Sequence, residues 1–153
     1  GIVLEVAEFG AGLKAFRNDQ PELMMGVIDT GHTGIFLSHE QKPRGVFSIA
    51  PDETVAMHLY SPEAQPAIGI LNDKTHTEIS LHDPETLIER ITLGVEKKDG
   101  YANLEIRDKN KVIRTQIGMS EIKTRGGILK RDEASILLFD KNNQTIFAAP
   151  QLP

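Results

Sequence analysis

The sequence predicts an all-β fold built from six tandem β-hairpin repeats of about 22–25 residues. Three observations predict it: pairs of apolar residues separated by one position recur along the chain, polar turn residues stand between successive pairs, and there is no long amphipathic helix. Because alternate side chains of a strand point to the same face, a spacing of two residues indicates a strand. Each repeat is therefore interpreted as a strand, a turn and a second strand.

The first strand of each repeat carries one apolar pair, and the first members of successive pairs are 22, 22, 22, 25 and 32 residues apart. These pairs are Leu13/Ala15, Ile35/Leu37, Met57/Leu59, Ile79/Leu81, Leu104/Ile106 and Ile136/Leu138. The second strand carries a further pair with one small residue between its members: Met25/Val27, Phe47/Ile49, Ile68/Ile70, Leu93/Val95, Ile117/Met119 and Phe147/Ala149. We expect the pairs to face a shared core, and the small residues to permit close approach of another backbone on the opposite face.

The turns within the repeats have the composition typical of tight turns. They include the segments 40–43, 61–63, 108–111 and 140–143. The segment Asp83-Pro84-Glu85 combines a helix N-cap residue with proline at the first helical position. We expect one helical turn there at most, inside a lengthened hairpin turn.

Twelve strands placed side by side leave two unpaired edges unless the sheet closes on itself. We therefore expect a closed ring with pseudo-sixfold symmetry, barrel-like or propeller-like, that forms a single domain over residues 1–153. A β-trefoil is the alternative, because six hairpins in a chain of this length also describe that fold. The segment His32–Leu37 resembles His76–Leu81, 44 residues later, but no third copy is evident.

Two repeats share a longer pattern, an apolar pair followed by Asp, then a turn, then Arg-x-x-Leu-Gly-Val or a close variant. It occurs at 79–83 with 90–95 and at 104–108 with 114–119, and in part at 44–49, whereas Gln65 replaces the Arg in the third repeat. The pattern resembles that of a group of uncharacterised bacterial proteins with tandem β-hairpin repeats. The resemblance covers residues 12–150; it implies the hairpin fold and implies no activity.

Composition excludes several classes of function. Without cysteine the chain has no disulfides, thiolate metal sites or thiol nucleophiles. A net charge of −5 argues against nucleic-acid binding. No apolar run approaches the roughly 18–20 residues of a membrane-spanning helix, and the N-terminus lacks a signal-peptide pattern, so we expect no transmembrane segment. The cellular compartment stays open.

Charge is unevenly distributed along the chain. Residues 97–131 hold ten Lys and Arg against four Asp and Glu, a local balance of +6, and the rest of the chain has a balance of −11. The densest part lies in the insertion that lengthens the last repeat, and such loops commonly map to a binding face. We therefore predict ligand binding by a basic loop containing Lys123, Arg125, Lys130 and Arg131. We also expect a protein partner, or self-association through the acidic and basic sides.

One segment resembles a catalytic loop. Residues 27–31, Val-Ile-Asp-Thr-Gly, look like the active-site loop of aspartic proteases, in which two carboxylates share one proton. With one such loop per chain, Asp29 would act across a homodimer. Three features argue against this interpretation: His32 follows where that family has a small residue, no bracing apolar-apolar-Gly segment is evident, and the repeat frame makes 28–34 a connection between hairpins.

The remaining polar candidates have structural interpretations. No histidine pair has a metal-ligand spacing, so we interpret all five as surface residues: His32, His39, His58, His76 and His82. An arginine begins the second strand of three repeats and lies near an acidic residue of the preceding turn: Arg44, Arg90 and Arg114. This favours ion pairs within the hairpin over an arginine rim that binds anionic ligands.

We therefore interpret the chain as a non-enzymatic all-β repeat domain that serves as a binding or assembly module, with no catalytic residue, metal or cofactor. The alternative is an aspartic-type hydrolase that uses Asp29 across a homodimer. A lectin-like role is a weaker third interpretation, because two tyrosines and no tryptophan leave little aromatic surface for stacking on sugars.

Overall fold

The computed structural model describes residues 1–7, 10–27, 31–98, 100–124 and 127–149, and side chains at 1–4, 11–27, 31–98, 100–118 and 135–149. These residues form strands and turns, so the predicted all-β fold is confirmed. The described part of the chain holds no helix with the length and apolar character needed to cross a membrane. The chain divides into two compact units, unit 1 over Gly1–Lys74 and unit 2 over Thr75–Pro153.

Unit 1 is an antiparallel meander in which consecutive strands of the chain are hydrogen-bonded neighbours. Its strands are β1 (Ile2–Ala7), β2 (Gly10–Arg17), β3 (Gln20–Val27), β4 (Thr33–His39), β5 (Lys42–Ile49), β6 (Val55–Tyr60) and β7 (Pro66–Asn72).

Unit 2 is a second antiparallel meander, in which consecutive strands are again hydrogen-bonded neighbours. Its strands are β8 (His76–His82), β9 (Glu89–Glu96), β10 (Ala102–Arg107), β11 (Ile113–Thr124), β12 (Gly127–Phe139) and β13 (Thr145–Ala149).

All twelve predicted apolar pairs lie in strands, from the pair at 13 and 15 in β2 to the pair at 147 and 149 in β13. The sequence does not predict β1, because Ile2 and Leu4 have the same spacing but stand outside the six repeats. Local alternation of apolar residues therefore places twelve of the thirteen described strands and misses β1.

Ring closure is not confirmed. Among the described residues of each unit, strands pair only with their neighbours in the chain, in the order β1 to β7 in unit 1 and β8 to β13 in unit 2, without a closing pair. Neither the closed ring nor the β-trefoil has support from this order, and both, like the six-repeat organisation, stay predictions.

Residues with positive φ form the turns. Asn18 (φ 48°) with Asp19 (60°), and Glu40 (50°) with Gln41 (63°), make two-residue connections. Type I′ turns require positive φ at both central residues, and their twist matches that of the flanking strands. These two turns therefore fix the register of the hairpins β2–β3 and β4–β5.

The predicted helical turn at Asp83 is a single turn inside the β8–β9 hairpin. The N–H of Leu87 donates to the carbonyl oxygen of Asp83 at 2.8 Å. The Asp83 carboxylate accepts hydrogen bonds from the N–H groups of Glu85 (3.0 Å) and Thr86 (3.2 Å), as an N-cap residue does. The strand β9 begins at Glu89, so the helical geometry goes no further.

The prediction that the apolar pairs face the core is wrong. Along β4 the side chains alternate: Ile35 and Leu37 are exposed, whereas Gly34, Phe36 and Ser38 on the other face are half-buried. Each unit is a meander whose strands are side-by-side neighbours, so strand pairing alone does not cover its apolar face. Four of the least accessible described residues lie on the opposite face, where small and polar side chains dominate: Ser80, Gln116, Ser135 and Leu137. On the apolar face, Gly45 is buried between Leu37 and Leu59.

Two of the predicted small residues lie close to another backbone, but it is the backbone of the neighbouring strand in the same sheet and not, as predicted, one that approaches the opposite face. Gly26 (φ 142°) and Gly118 (φ 119°) lie so close to the neighbouring strand that a Cβ atom would overlap the carbonyl oxygens of Ala11 and Ala102, respectively. Gly94 differs, since the nearest atoms to its ideal Cβ are at 3.6 Å, an ordinary contact. Close approach is therefore a property of particular strand pairs.

Candidate functional site

The predicted basic loop is a hairpin. Lys123 lies in β11 opposite Ile128 of β12, Lys130 of β12 lies opposite Glu121, and Arg131 lies opposite Ser120. The description of this segment as a loop is therefore wrong, because the backbone ladder of β11 and β12 continues through the charged residues. Arg125 lies outside the described residues, and ligand binding by this segment stays a prediction.

The proposed catalytic Asp29 lies outside the described residues. The strands on either side are described: β3 ends at Val27 and β4 begins at Thr33. The repeat frame predicts a connection over 28–34, but Thr33 and Gly34 already belong to β4. Hydrolysis through Asp29 stays an untested alternative.

The repeated arginines make structural contacts. Arg90 Nη1 lies 3.1 Å from Asp83 Oδ2, and Arg114 Nε lies 3.6 Å from Asp108 Oδ2, so the predicted ion pair is confirmed in two hairpins. Arg44 instead donates from Nη1 to the carbonyl oxygen of Ser61 at 2.6 Å. Each contact engages part of a guanidinium group, and the contacts do not support an arginine rim for anionic ligands. Arg114 Nη1 is buried and has no hydrogen-bond partner among the described residues.

The histidines interact with separate neighbours. His39 Nδ1 lies 3.4 Å from Glu22 Oε1, and His82 Nε2 lies 3.0 Å from Ser80 Oγ. The rings of His58 and Tyr60 are 6.3 Å apart. Within the described residues, no group of three or more His, Cys, Asp or Glu side chains is arranged to hold a metal ion.

A polar network lies at one end of unit 2. Arg107 contacts Glu89 at 3.2 Å and Glu105 at 2.5 Å, and Gln116 Nε2 donates to Glu105 at 3.2 Å. A cavity of about 430 Å³ adjoins this network. Its lining comprises His82, Leu87, Ile88, Glu89, Arg107, Lys111 and Ile113. Because two carboxylates already neutralise Arg107, the cavity offers a weak site for an anion.

The largest candidate site is the apolar face of unit 1. Strand register brings together a central row of large apolar side chains, each opposite the next: Met25, Ile35, Phe47, Met57 and Ile70. Two shorter rows flank it, one with Leu37, Leu59 and Ile68, the other with Val27 and Ile49. These ten residues, all 36–47 % exposed, define the face.

The area of this face is unusual for a protein surface. Ten side chains of this size and exposure present about 800 Å² of apolar surface, above the roughly 300–600 Å² of the largest patch on a typical monomer. The sequence singles out these residues correctly. It assigns them to a core because alternation shows which residues share a face and not what covers it.

Unit 2 has a smaller apolar face built in the same way. Its central row runs from Ile79 through Leu93, Leu104 and Ile117 to Ile136. The eight large side chains that are 37–51 % exposed on this face are Ile79, Leu81, Leu93, Val95, Ile106, Ile117, Ile136 and Phe147.

Comparison with known proteins supplies no family or relative for the site: no family model matches the chain, and no curated protein matches it.

Proposed function

We propose that this chain is a binding or assembly module, and that the apolar face of unit 1 is the surface that meets a partner. The observation that supports the proposal is the exposure of ten large apolar side chains, 36–47 % each, in three adjacent rows of one sheet face. Exposed apolar patches of this extent mark interaction sites, because leaving such a surface in water is unfavourable.

We propose that six hairpin repeats build the apolar face. Their sequence pattern resembles that of the uncharacterised bacterial proteins with tandem β-hairpin repeats. Ring closure is the competing arrangement, because it would place the same side chains in an interior core. The two arrangements differ in how a polar substitution on the face changes stability and dye binding.

The first test is binding of the dye 8-anilinonaphthalene-1-sulfonate at low protein concentration. We expect the wild-type chain to enhance the fluorescence of the dye, and the double variant Ile35→Thr/Phe47→Thr to lose part of that enhancement, since the apolar face of unit 2 is unchanged. The matched control is Ile146→Thr, which makes the same kind of change at a residue of β13 that is 67 % exposed and does not belong to the face. It should leave most of the signal unchanged.

The second readout is the free energy of unfolding. Threonine keeps the β-branched shape that strands favour. We therefore expect Ile35→Thr to reduce stability by about 1 kcal/mol or less, as exposed substitutions do. A loss of about 3 kcal/mol, the size expected for a core position, together with absent dye binding by the wild-type chain, would show that the face is interior and would overturn the proposal.

A further inference from the structure

We infer that the apolar face of unit 1 is covered by the same face of a second copy of this chain, so that two sheets stack as a two-layer β-sandwich. This inference rests on the proposed function and names the partner. Two properties of the face support it, its area and its chemistry, and the charge of unit 1 predicts how the association depends on salt.

The area matches one side of a stable complex. The ten residues of the face present about 800 Å² of apolar surface, and a standard protein interface buries roughly 800 Å² on each partner. The central residues Ile35, Phe47 and Met57 have flanking rows on both sides. A stacked copy would therefore remove these three side chains from water completely. Residues that dominate binding energy lie in such central, fully desolvated positions.

The chemistry of the face is complementary to itself. A twofold axis brings a surface patch onto its own copy, so the patch must tolerate contact with itself. The central row from Met25 to Ile70 contains no charged residue and no hydrogen-bonding side chain, so self-contact along this row buries no polar side chain. The exposed Thr33 lies in a flanking row, between Val27 and Ile49. Apolar sheet faces pack in this way at about 10 Å separation in β-sandwiches.

The charge of unit 1 gives the inference a distinctive salt dependence. Residues 1–74 contain ten Asp and Glu against five Lys and Arg, a balance of −5. Two copies therefore repel one another, and added salt screens this repulsion and strengthens the apolar contact. Association between an acidic and a basic side, the interaction expected from the sequence, would instead weaken with salt.

The first experiment measures the solution mass of the full chain by sedimentation equilibrium at several protein and salt concentrations. We expect a reversible dimer that becomes tighter between 50 mM and 500 mM sodium chloride. The variant Phe47→Lys should weaken the dimer about 100-fold, because each interface then buries two lysines. The control Leu87→Lys makes the same kind of change off the face and should leave the dimer intact.

A second experiment avoids dependence on the folding of Phe47→Lys. Since the chain has no cysteine, Met57→Cys introduces a unique thiol on the face, and Glu63→Cys introduces one in an exposed turn of the same unit. We expect maleimide to modify both variants at similar rates in dilute solution. At concentrations where the dimer forms, the Met57→Cys variant should react at least about tenfold more slowly, with the Glu63→Cys rate unchanged.

The outcomes separate this inference from the proposed function. A monomer at all concentrations whose Met57→Cys thiol reacts as fast as the Glu63→Cys thiol overturns the inference and leaves the face as a surface for another partner. A monomer with a permanently protected Met57→Cys thiol overturns both, because the face is then interior. A dimer that persists in Phe47→Lys, or that salt weakens, also overturns the inference.

Discussion

Arg90 Nε in β9 donates a hydrogen bond to the carbonyl oxygen of Arg107 at the end of β10, at 2.9 Å. Its Nη1 also contacts Asp83 in the turn that precedes β9. The contact has a counterpart in unit 1, where Arg44 donates to the carbonyl oxygen of Ser61, again 17 residues further along. One arginine therefore joins the backbone of one hairpin to the end of the next.

Replacing this arginine should weaken unit 2. We expect Arg90→Ala to reduce the free energy of unfolding by about 1–2 kcal/mol, because one charge-assisted and one carbonyl hydrogen bond are lost. Arg90→Lys keeps the charge but lacks the planar guanidinium that reaches both acceptors, so its loss should be intermediate. Urea unfolding measures both. An unchanged midpoint in Arg90→Ala would contradict a structural role for the contact.

Glycine at the strained turn position should stabilise the β10–β11 hairpin. Lys111 has φ 65°, and its N–H donates to the carbonyl oxygen of Asp108 at 3.0 Å. Left-handed backbone is unfavourable for a lysine and costs glycine little, so Lys111→Gly should raise the unfolding free energy by about 0.5–1 kcal/mol. Asn143, with φ 61° in the β12–β13 turn, provides the control. Because asparagine tolerates this region, Asn143→Gly should gain less, and equal gains in thermal unfolding would count against the explanation.

Close backbone approach should make substitution of Gly118 strongly destabilising. A Cβ atom at Gly118 would overlap backbone atoms of Ala102 and Asn103 in the next strand, and its φ of 119° is strained for any other residue. We expect Gly118→Ala to cost about 3 kcal/mol or more, within the range of the most damaging single substitutions. Gly94→Ala, where the nearest atoms are 3.6 Å away, should change stability by less than about 0.5 kcal/mol. Circular dichroism during thermal unfolding distinguishes the two.

Strand positions were predictable because they depend on local pattern. Pairs such as Ile35/Leu37 and turn residues such as Asp108 indicate strands and turns without knowledge of distant contacts. The exposed face was not predictable, because what covers Ile35 depends on other layers and other chains, whereas alternation reports only which residues share a side. Gly26 and Gly94 show the same limit: both stand between apolar residues, but only the first has a backbone pressed against it.

The candidate basic site illustrates a different limit. Lys123 and Lys130 indicate a solvated loop by composition, whereas the pairing of Glu121 with Lys130 places them in a strand ladder. The charge of a segment therefore says little about its backbone, because charged residues are compatible with a strand ladder as well as with a loop.

Acid should weaken the β12–β13 turn through Asp140. Its carboxylate accepts hydrogen bonds from the N–H groups of Gln144 and Asn142, both at 2.8 Å, and these contacts lower its pKa below the ordinary value. The stabilisation is therefore present above the unfolded pKa near 3.9 and is lost as pH falls through the lower folded value. We expect Asp140→Ser to reduce the fall in unfolding free energy between pH 5 and pH 2.

Serine is the appropriate replacement because Ser61 supports the matching turn of unit 1, where its hydroxyl oxygen accepts hydrogen bonds from the N–H groups of Glu63 and Gln65. The turn should therefore survive in Asp140→Ser, and only the charge is removed. If the variant showed the same acid dependence as the wild-type chain, Asp140 would not contribute to it.

Leu137 and Ile136 are neighbours in β12, and truncation to alanine should cost much more stability at Leu137 than at Ile136. Leu137 is fully buried at 0 % exposure, whereas Ile136 is 42 % exposed on the apolar face of unit 2. We expect Leu137→Ala to cost about 2–5 kcal/mol, because it removes buried methyl groups and leaves a cavity. Ile136→Ala should cost about 1 kcal/mol at a protein concentration where the chain is monomeric, because its surroundings already admit water.

The sequence predicts the reverse order, since it assigns Ile136 to the core and Leu137 to the other face. Urea unfolding of the two variants therefore shows directly which face of the sheet is covered: a larger loss in Ile136→Ala would mean that the apolar rows form an interior.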